Sequence, residues 1–214
     1  MVVTERHPPP KPFYQQFPNL PVESMCKFIS DAFSVRAECR QWLECSQLQI
    51  IEHLCQGQPL LLPYDADANY EPCLKGGKRA HWAAVTGFVL TLKGDAAKEC
   101  FDCIDSTCCT VVPLADNHHS LIHIDPEKVA TGNTGATVQL CKSLLARSQL
   151  YVYARQGKSK RIQIWDFTGL CSSNRNLSQV SDKILDDPER VRMVYPDKGD
   201  LTMSLANQFI LVYK

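Results

Sequence analysis

Two apolar runs that bracket a polar loop decide the fold of this chain. They read QPLLLPYD at residues 58–65 and RAHWAAVTGFVL at residues 79–90. Runs of leucine, valine and aromatic residues bounded by proline and glycine predict strands at 59–63 and 81–92. His81 stands where the loop enters the second strand. Imidazole titrates near neutral pH and a strand end holds it rigidly, so His81 is a candidate general base; the alternative is a histidine that only hydrogen-bonds locally.

Composition indicates an ordinary globular chain. Of 214 residues, 44% are hydrophobic and 21% are charged, which suits one domain with a sizeable core. Lysine plus arginine and aspartate plus glutamate both number 23, so bulk charge predicts neither nucleic-acid nor membrane binding. No apolar run is long enough to cross a bilayer, and residues 1–12 lack the apolar core of a signal peptide. We therefore expect a cytoplasmic protein.

Eleven cysteines are many for such a chain. The number is odd and no secretion signal is apparent, which favours reduced thiols over a disulfide framework. A tract between residues 100 and 123 carries Cys100, Cys103, Cys108, Cys109, His118, His119 and His123. Zinc binding by this tract is an open alternative, but the ligand spacing is irregular. We predict a mobile insertion with reduced thiols, no metal site and no cofactor.

Helical spacing is clearest at residues 46–56. Ser46 is the predicted N-cap, Gln49 completes a capping box, and Gly57 ends the helix. An earlier helix is predicted from residue 23, with its apolar face made of the following residues: Phe28, Ala32 and Val35.

The later part of the chain reads as strands. Residues 149–155 and 161–165 predict a hairpin around a turn at 156–159, followed by Asp166 and a loop at 167–169. Residues 172–174 predict a cap or a short helix. Further strands are expected at 191–195 and 209–213, with a turn at 197–199. Helices first and antiparallel strands later indicate an α+β fold. We predict a proline-rich leader at 1–21 and one domain at 22–214, with an insertion at 93–147.

A thiol peptidase needs a thiolate, an imidazole to deprotonate the thiol, and a third group to orient the imidazole. His81 opens one predicted strand and Asp166 closes the hairpin that follows. Neighbouring antiparallel strands can bring such a start and end together, so Asp166 is the candidate partner of His81. The alternative for Asp166 is an aspartate that initiates a turn.

Six short motifs, in order, carry a resemblance to a known family. They are residues 59–65 (PLLLPYD), 71–73 (EPC), 78–83 (KRAHWA), 156–159 (QGKS), 165–166 (WD) and 173–174 (SN). Together they resemble the actin maturation protease family, which is similar to papain-like, bacteriocin-leader-type cysteine peptidases. The resemblance implies a papain-like fold and a cytosolic aminopeptidase that removes an acetylated methionine or cysteine from the actin N-terminus. It also implies that His81 is the general base and Asp166 its orienting partner.

The chain departs from that family at the nucleophile. The family places its cysteine in a Gly-Pro-x-Cys-Gly context, and no such motif occurs in these 214 residues. Cys26 is the substitute candidate, because it lies near a predicted helix start where the dipole lowers a thiol pKa. Cys73, in the loop before His81, is a second possibility. The chain is then a shortened product, an inactive relative, or an enzyme with a relocated thiol.

Substrate contacts are expected around His81. Actin N-termini are acidic, so Lys75, Lys78 and Arg79 are complementary in charge, with Trp82 beside them. The alternative for the cations is a solvated loop. Two functions remain open: a thiol peptidase that acts on actin, and a non-catalytic module that binds actin or another partner.

Overall fold

The computed structural model describes residues 20–93, 109–114, 119–124, 134–157, 159–181 and 200–213. Within these ranges the chain folds into four α-helices and a single eight-stranded sheet, which confirms the α+β class. The helices are α1 (Val22–Phe33), α2 (Gln47–Cys55), α3 (Thr134–Leu145) and α4 (Phe167–Arg175). The strands are β1 (Arg36–Gln41), β2 (Leu60–Asp65), β3 (Ala80–Lys93), β4 (Cys109–Pro113), β5 (His119–Ile124), β6 (Ser148–Gln156), β7 (Gln163–Asp166) and β8 (Gln208–Tyr213).

Strand β3 is the centre of the sheet. The strand order is β1-β8-β2-β3-β5-β4, while β6 pairs with the other side of β3 and β7 pairs with β6. Each of these pairings is antiparallel. Because β6 runs against β3 and β7 runs against β6, β7 runs parallel to β3. The end of β7 therefore lies toward the end of β3, away from its start.

The sheet has a buried core on each face. Side chains alternate between the faces along a strand, and an irregularity between Val85 and Gly87 shifts this alternation in β3. The first face carries the main core, which includes α2, α4 and buried residues of α3. The second face packs against α1 and the segment 201–206. A side chain on one face cannot reach a group on the other without crossing the sheet.

Helix α2 confirms its predicted capping box. The Ser46 hydroxyl accepts the Gln49 backbone N–H at 3.3 Å, and Gln49 Oε1 accepts the Ser46 N–H at 2.8 Å. Gly57 then takes φ of 68°, a left-handed conformation that ends the helix without strain.

The predicted apolar face of α1 is confirmed in part, since Phe28 and Val35 are partly buried and pack against the core on the second face. Its buried residues are Val22, Met25 and Ile29, whereas Ala32 is exposed. The helix begins at Val22, so the stripe that faces the core begins there as well.

The hairpin β6–β7 and the strand β8 confirm the predictions for 149–165 and 209–213. The predicted loop at 167–169 is wrong, because Asp166 caps α4 and the helix starts immediately afterwards. The strand expected at 191–195, the turn at 197–199 and residues 1–19 lie outside the described residues.

Described parts of segment 93–147 belong to the sheet and the main core. Strands β4 and β5 extend the sheet beyond β3, and α3 packs against α2. These parts form two strands and a helix, and the expectation of a mobile insertion stays a prediction. The division into a leader and one domain stays a prediction.

Candidate active site

His81 is the second residue of β3 and lies directly opposite Tyr64 of β2. It is half-buried. It shares the first face of the sheet with Ala83, which is 1% exposed and belongs to the main core. Strand β3 thus fixes the His81 backbone, and the side chain is only half-buried. This is the placement expected for a general base.

The loop before His81 is built around the carboxylate of Asp65, the last residue of β2. Oδ2 accepts backbone N–H groups from Lys75 at 2.6 Å and Gly77 at 3.0 Å. Oδ1 accepts the Arg79 N–H at 3.2 Å. Asp65 is fully buried, and a buried carboxylate requires several donors in place of water. One side chain therefore orients the three alternate residues that lead into β3.

Two glycines allow this loop to pack closely against the segments around residues 178 and 201. Gly76 and Gly77 take φ of 74° and 93°, which favour glycine. A Cβ on Gly77 would stand 2.7 Å from a Leu201 methyl group and 3.0 Å from the Gln179 carbonyl oxygen. The Gly76 carbonyl accepts the N–H of Ser178 at 3.0 Å and of Gln179 at 2.9 Å. The loop is therefore closely packed.

Helix α4 stabilises the end of β2 through hydrogen bonds made on the first face of the sheet. The Ser173 hydroxyl accepts the Asp65 N–H at 2.9 Å and donates to the Asp65 carbonyl at 3.0 Å. Asn174 Oδ1 accepts the indole N–H of Trp42 at 2.8 Å, and its amide donates to the Pro63 carbonyl at 2.8 Å. Ser173 and Asn174 are both fully buried. The predicted cap at 172–174 is thus an anchor between α4 and β2.

The predicted substrate contacts fall into two groups. Lys75, Lys78 and Arg79 are exposed next to His81, where an acidic ligand can reach them. Trp82 alternates to the second face and packs against the core there, so it does not share the His81 face. Its indole nitrogen is buried and has no hydrogen-bond partner within the described part of the chain.

Asp166 does not lie beside His81, so that predicted pairing is wrong. Asp166 lies opposite Tyr151 of β6, and Tyr151 lies opposite Val89 of β3. Val89 is eight residues along β3 from His81. Strand alternation also places Asp166 on the second face. Its oxygens serve other groups: Oδ2 accepts the Gly169 N–H at 2.6 Å as the N-cap of α4, and Oδ1 accepts the Gln149 amide at 3.0 Å.

Cys26 does not lie beside His81 either. It sits in the second turn of α1 and packs against the core on the second face, opposite that of His81. Its neighbour is Cys39 of β1; burial and a hydrogen bond with Cys26 raise the pKa of the Cys39 thiol to about 12. The predicted nucleophile and the predicted base are therefore on opposite faces of the sheet.

The other described thiols do not resemble an activated nucleophile. Burial, with the nearby Asp65 charge, raises the pKa of Cys73 in the loop, and burial raises that of Cys171 to about 12. Cys55 and Cys141 share a hydrogen bond in the main core, which lowers the pKa of Cys55 and raises that of Cys141. No disulfide joins any two of the eight described cysteines to each other. An activated thiolate requires a lowered pKa with access to substrate, and Cys55 has the first without the second because it is fully buried.

The zinc hypothesis lies partly outside the described residues, which exclude Cys100, Cys103, Cys108 and His118. The other members lie in two strands: Cys109 in β4, and His119 and His123 in β5. His123 Nδ1 is 3.0 Å from the Tyr153 hydroxyl. Where the structure describes the chain, no three His, Cys, Asp or Glu residues are grouped to hold a metal.

The sequence analysis missed the role of Asp65. The available signal was an aspartate that ends an apolar strand and precedes a loop containing the pair Gly76-Gly77. Gln156 was also missed, because it was interpreted only as part of a turn. Gln156 is 2% exposed and lies opposite Ala83. Ala83 follows His81 by two residues on the same face of β3.

Comparison with known proteins identifies the class of this chain. Residues 20–89 match the family model described as actin maturation protease-like, C-terminal domain. This range contains His81, Asp65 and the loop between them. The class is therefore a domain found in a family of proteases.

Individual relatives agree with the family model. The chain is 31% identical over 175 residues to the actin maturation protease of Danio rerio, covering 77% of this chain and 46% of that protein. The protein of that name from Mus musculus is 30% identical over 166 residues, with 75% and 40% covered. That from Drosophila melanogaster is 26% identical over 139 residues, with 65% and 31% covered. The resemblance is confirmed, and this chain belongs to the actin maturation protease family.

The chain spans less than half the length of these curated relatives. No solved structure matches it significantly. Among the helices of the described residues, none is long and apolar enough to cross a membrane.

Proposed function

We propose that this chain acts as a papain-like cysteine aminopeptidase that removes an acetylated methionine or cysteine from the N-terminus of immature actin. His81 is the general base. The observation that carries the proposal is its place at the start of β3, after a loop ordered by the buried carboxylate of Asp65, inside the family-matched range 20–89. The relatives are named for actin maturation, which supports actin as the substrate.

The proposed reaction is hydrolysis through an acyl-enzyme. The imidazole of His81 takes the proton of a cysteine thiol, and the thiolate attacks the carbonyl carbon of the acetylated residue. The imidazolium then gives its proton to the leaving amine, which becomes the new N-terminus of actin. Water, deprotonated by the same imidazole, hydrolyses the thioester and releases the acetylated amino acid. Each step requires an imidazole in one fixed orientation, which the ordered loop supports.

Charge supports an acidic peptide substrate. Lys75, Lys78 and Arg79 are exposed immediately before His81. Exposed cations act mainly on the rate of association and are screened by salt, so we expect them to raise the association rate more than to tighten binding. The side chain of Trp82 lies on the second face, so we propose that only its backbone, next to His81, contacts the substrate.

The test is turnover of an acetylated actin N-terminal peptide by the purified chain, followed by mass spectrometry. We expect release of the acetylated residue, and a loss of about a thousandfold or more in rate for His81→Ala, because the thiol loses its base. His119→Ala, a histidine of β5, is the matched control and should keep the rate. An electrophilic thiol probe identifies the cysteine that reacts. If no product forms and no single cysteine is labelled, the enzyme proposal for this chain is refuted.

We keep the second function that the sequence suggested as an alternative proposal beside the enzyme. It is a non-catalytic module that binds actin. This module would bind actin without turnover, and the binding would survive His81→Ala. Loss of actin binding by the intact chain would reject it. We propose a cytoplasmic location for either function, because eleven cysteines, an odd number, favour reduced thiols; microscopy of the tagged chain would check it.

A further inference from the structure

Gln156 ends β6 next to the candidate base. It lies directly opposite Ala83 in the β3–β6 ladder, which makes His81 its diagonal neighbour two residues along β3. Both positions fall on the first face, since His81, Ala83 and Gln156 keep the same alternation there. Diagonal neighbours in an antiparallel pair are within reach of a long side chain. Ala83, which lies opposite Gln156, has a small side chain.

The amide of Gln156 has a defined orientation. Its Oε1 accepts the backbone N–H of Ser159 at 3.1 Å, and a backbone N–H can only face the oxygen of an amide. The Gln156 carbonyl accepts the same N–H at 2.9 Å, so the turn after β6 is closed on this residue. A carbonyl oxygen carries two lone pairs, so Oε1 can accept a hydrogen bond from the His81 ring as well as the one from Ser159.

We propose that Gln156 is the positioning residue of His81, with Oε1 accepting the ring N–H that faces away from the substrate. This inference rests on the proposed role of His81 as the base. Gln156 thereby takes the role of orienting the imidazole, which the sequence suggested for Asp166. Gln156 is 2% exposed, so its side chain is held in place and can hold the imidazole in turn. A neutral acceptor fixes ring orientation and tautomer without adding a charge.

Other ionisable groups surround His81 and must be kept constant in a test. Arg79 precedes it in the loop, Tyr64 and Asp65 neighbour it on β2, and Arg155 is the residue before Gln156 on β6. None of these changes in the variants below. A difference between variants therefore reports on residue 156 alone.

The experiment measures the His81 imidazole directly in the full 214-residue chain, by ¹⁵N-detected NMR of its pKa and tautomer. Gln156→Glu keeps the acceptor for Ser159 and adds a negative charge; we expect the His81 pKa to rise by about one pH unit. Gln156→Leu removes the acceptor; we expect loss of the single tautomer. The matched controls are Gln149→Glu and Gln149→Leu, the same changes at the other end of β6. They should leave the His81 titration unchanged.

Each outcome decides the inference. A change in the His81 titration with position 156 and not with position 149 supports it. An unchanged titration in Gln156→Glu, or an equal change from both positions, overturns it. If Gln156→Leu does not fold, Gln156→Glu carries the test, since it preserves the bond from Ser159. Turnover is a separate readout: an imidazole response without peptide cleavage would keep the positioning role and reject the proposed enzyme.

Discussion

Polar side chains of similar type lie near both ends of strand β6, but they have different roles. At one end, which we call the His81 end, Gln156 neighbours His81, and Asp65 orders the loop before it. At the other, the Asp166 end, Asp166 binds the Gln149 amide and caps α4. A carboxylate at the end of a strand is thus a helix cap at one place and a loop organiser at another. Its role depends on the segment that follows it, which is a helix after Asp166 and a loop after Asp65.

Helix α4 connects the two ends. Its nine residues span about 13 Å at 1.5 Å per residue. It begins at the cap provided by Asp166, and it finishes with Ser173 bonded to the backbone of Asp65. Asp166 therefore acts on the His81 end only through the helix that it stabilises. The comparison leads to three predictions, which test the His81 end first.

The largest effect is expected from Asp65→Ala. The change removes the acceptor of three backbone N–H groups in a fully buried position, and we expect a loss of about 3 kcal/mol in the free energy of unfolding. Urea denaturation followed by circular dichroism measures it. Asp67→Ala is the control: its Oδ1 accepts two backbone N–H groups near solvent, so we expect about 1 kcal/mol. Equal losses in the two variants would show that Asp65 does not organise the loop.

A smaller effect is expected from Asp166→Ala. Loss of the N-cap of α4 should lower the free energy of unfolding by about 1 kcal/mol, and Asp166→Ser, which can still cap, should restore most of it. The pKa of the His81 imidazole should not change. A shift in that pKa with Asp166→Ala, while stability is unaffected, would reinstate Asp166 as the direct partner of His81.

The smallest effect concerns pH and His53, a histidine at neither end. Burial lowers the pKa of His53 below its usual value, and its Nε2 is 3.0 Å from the Pro59 carbonyl. The unfolded chain then binds the proton more readily than the folded chain, so stability decreases as pH falls below about 6.5 toward the lower folded pKa. His53→Gln should flatten the decrease in that interval. Denaturation midpoints between pH 5 and pH 7 measure it, and an unchanged slope would contradict the prediction.

Local patterns predicted the elements of this fold well. The capping box of Ser46 and Gln49 involves residues three apart, so the sequence contains all of its geometry. The strands around His81 and the hairpin after residue 148 follow from alternation and turn residues. The apolar face of α1 was predicted only in part: Phe28 and Ile29 are adjacent and both apolar, and only packing makes Ile29 buried and Phe28 partly buried.

The pairing of His81 with Asp166 failed for a topological reason. A strand start and the end of the next strand lie together, but β6 separates β3 from β7 and reverses the direction once more. The neighbour of the His81 end is thus the end of β6, where Gln156 lies. Cys26 failed for a related reason, since no local pattern states on which face of a sheet a helix packs.

The sequence alone determined the α+β class, the elements around residues 46–92, the family resemblance and the candidate base, because these depend on residues close together in the chain. Only the tertiary structure decided what surrounds that base. It placed the Asp65 carboxylate under the loop and Gln156 opposite Ala83, two residues along β3 from His81. It placed Asp166, Trp82 and Cys26 on the other face of the sheet. Strand order and the face on which a helix packs arise from contacts between distant residues, and the spacing of residues along the chain carries no record of them.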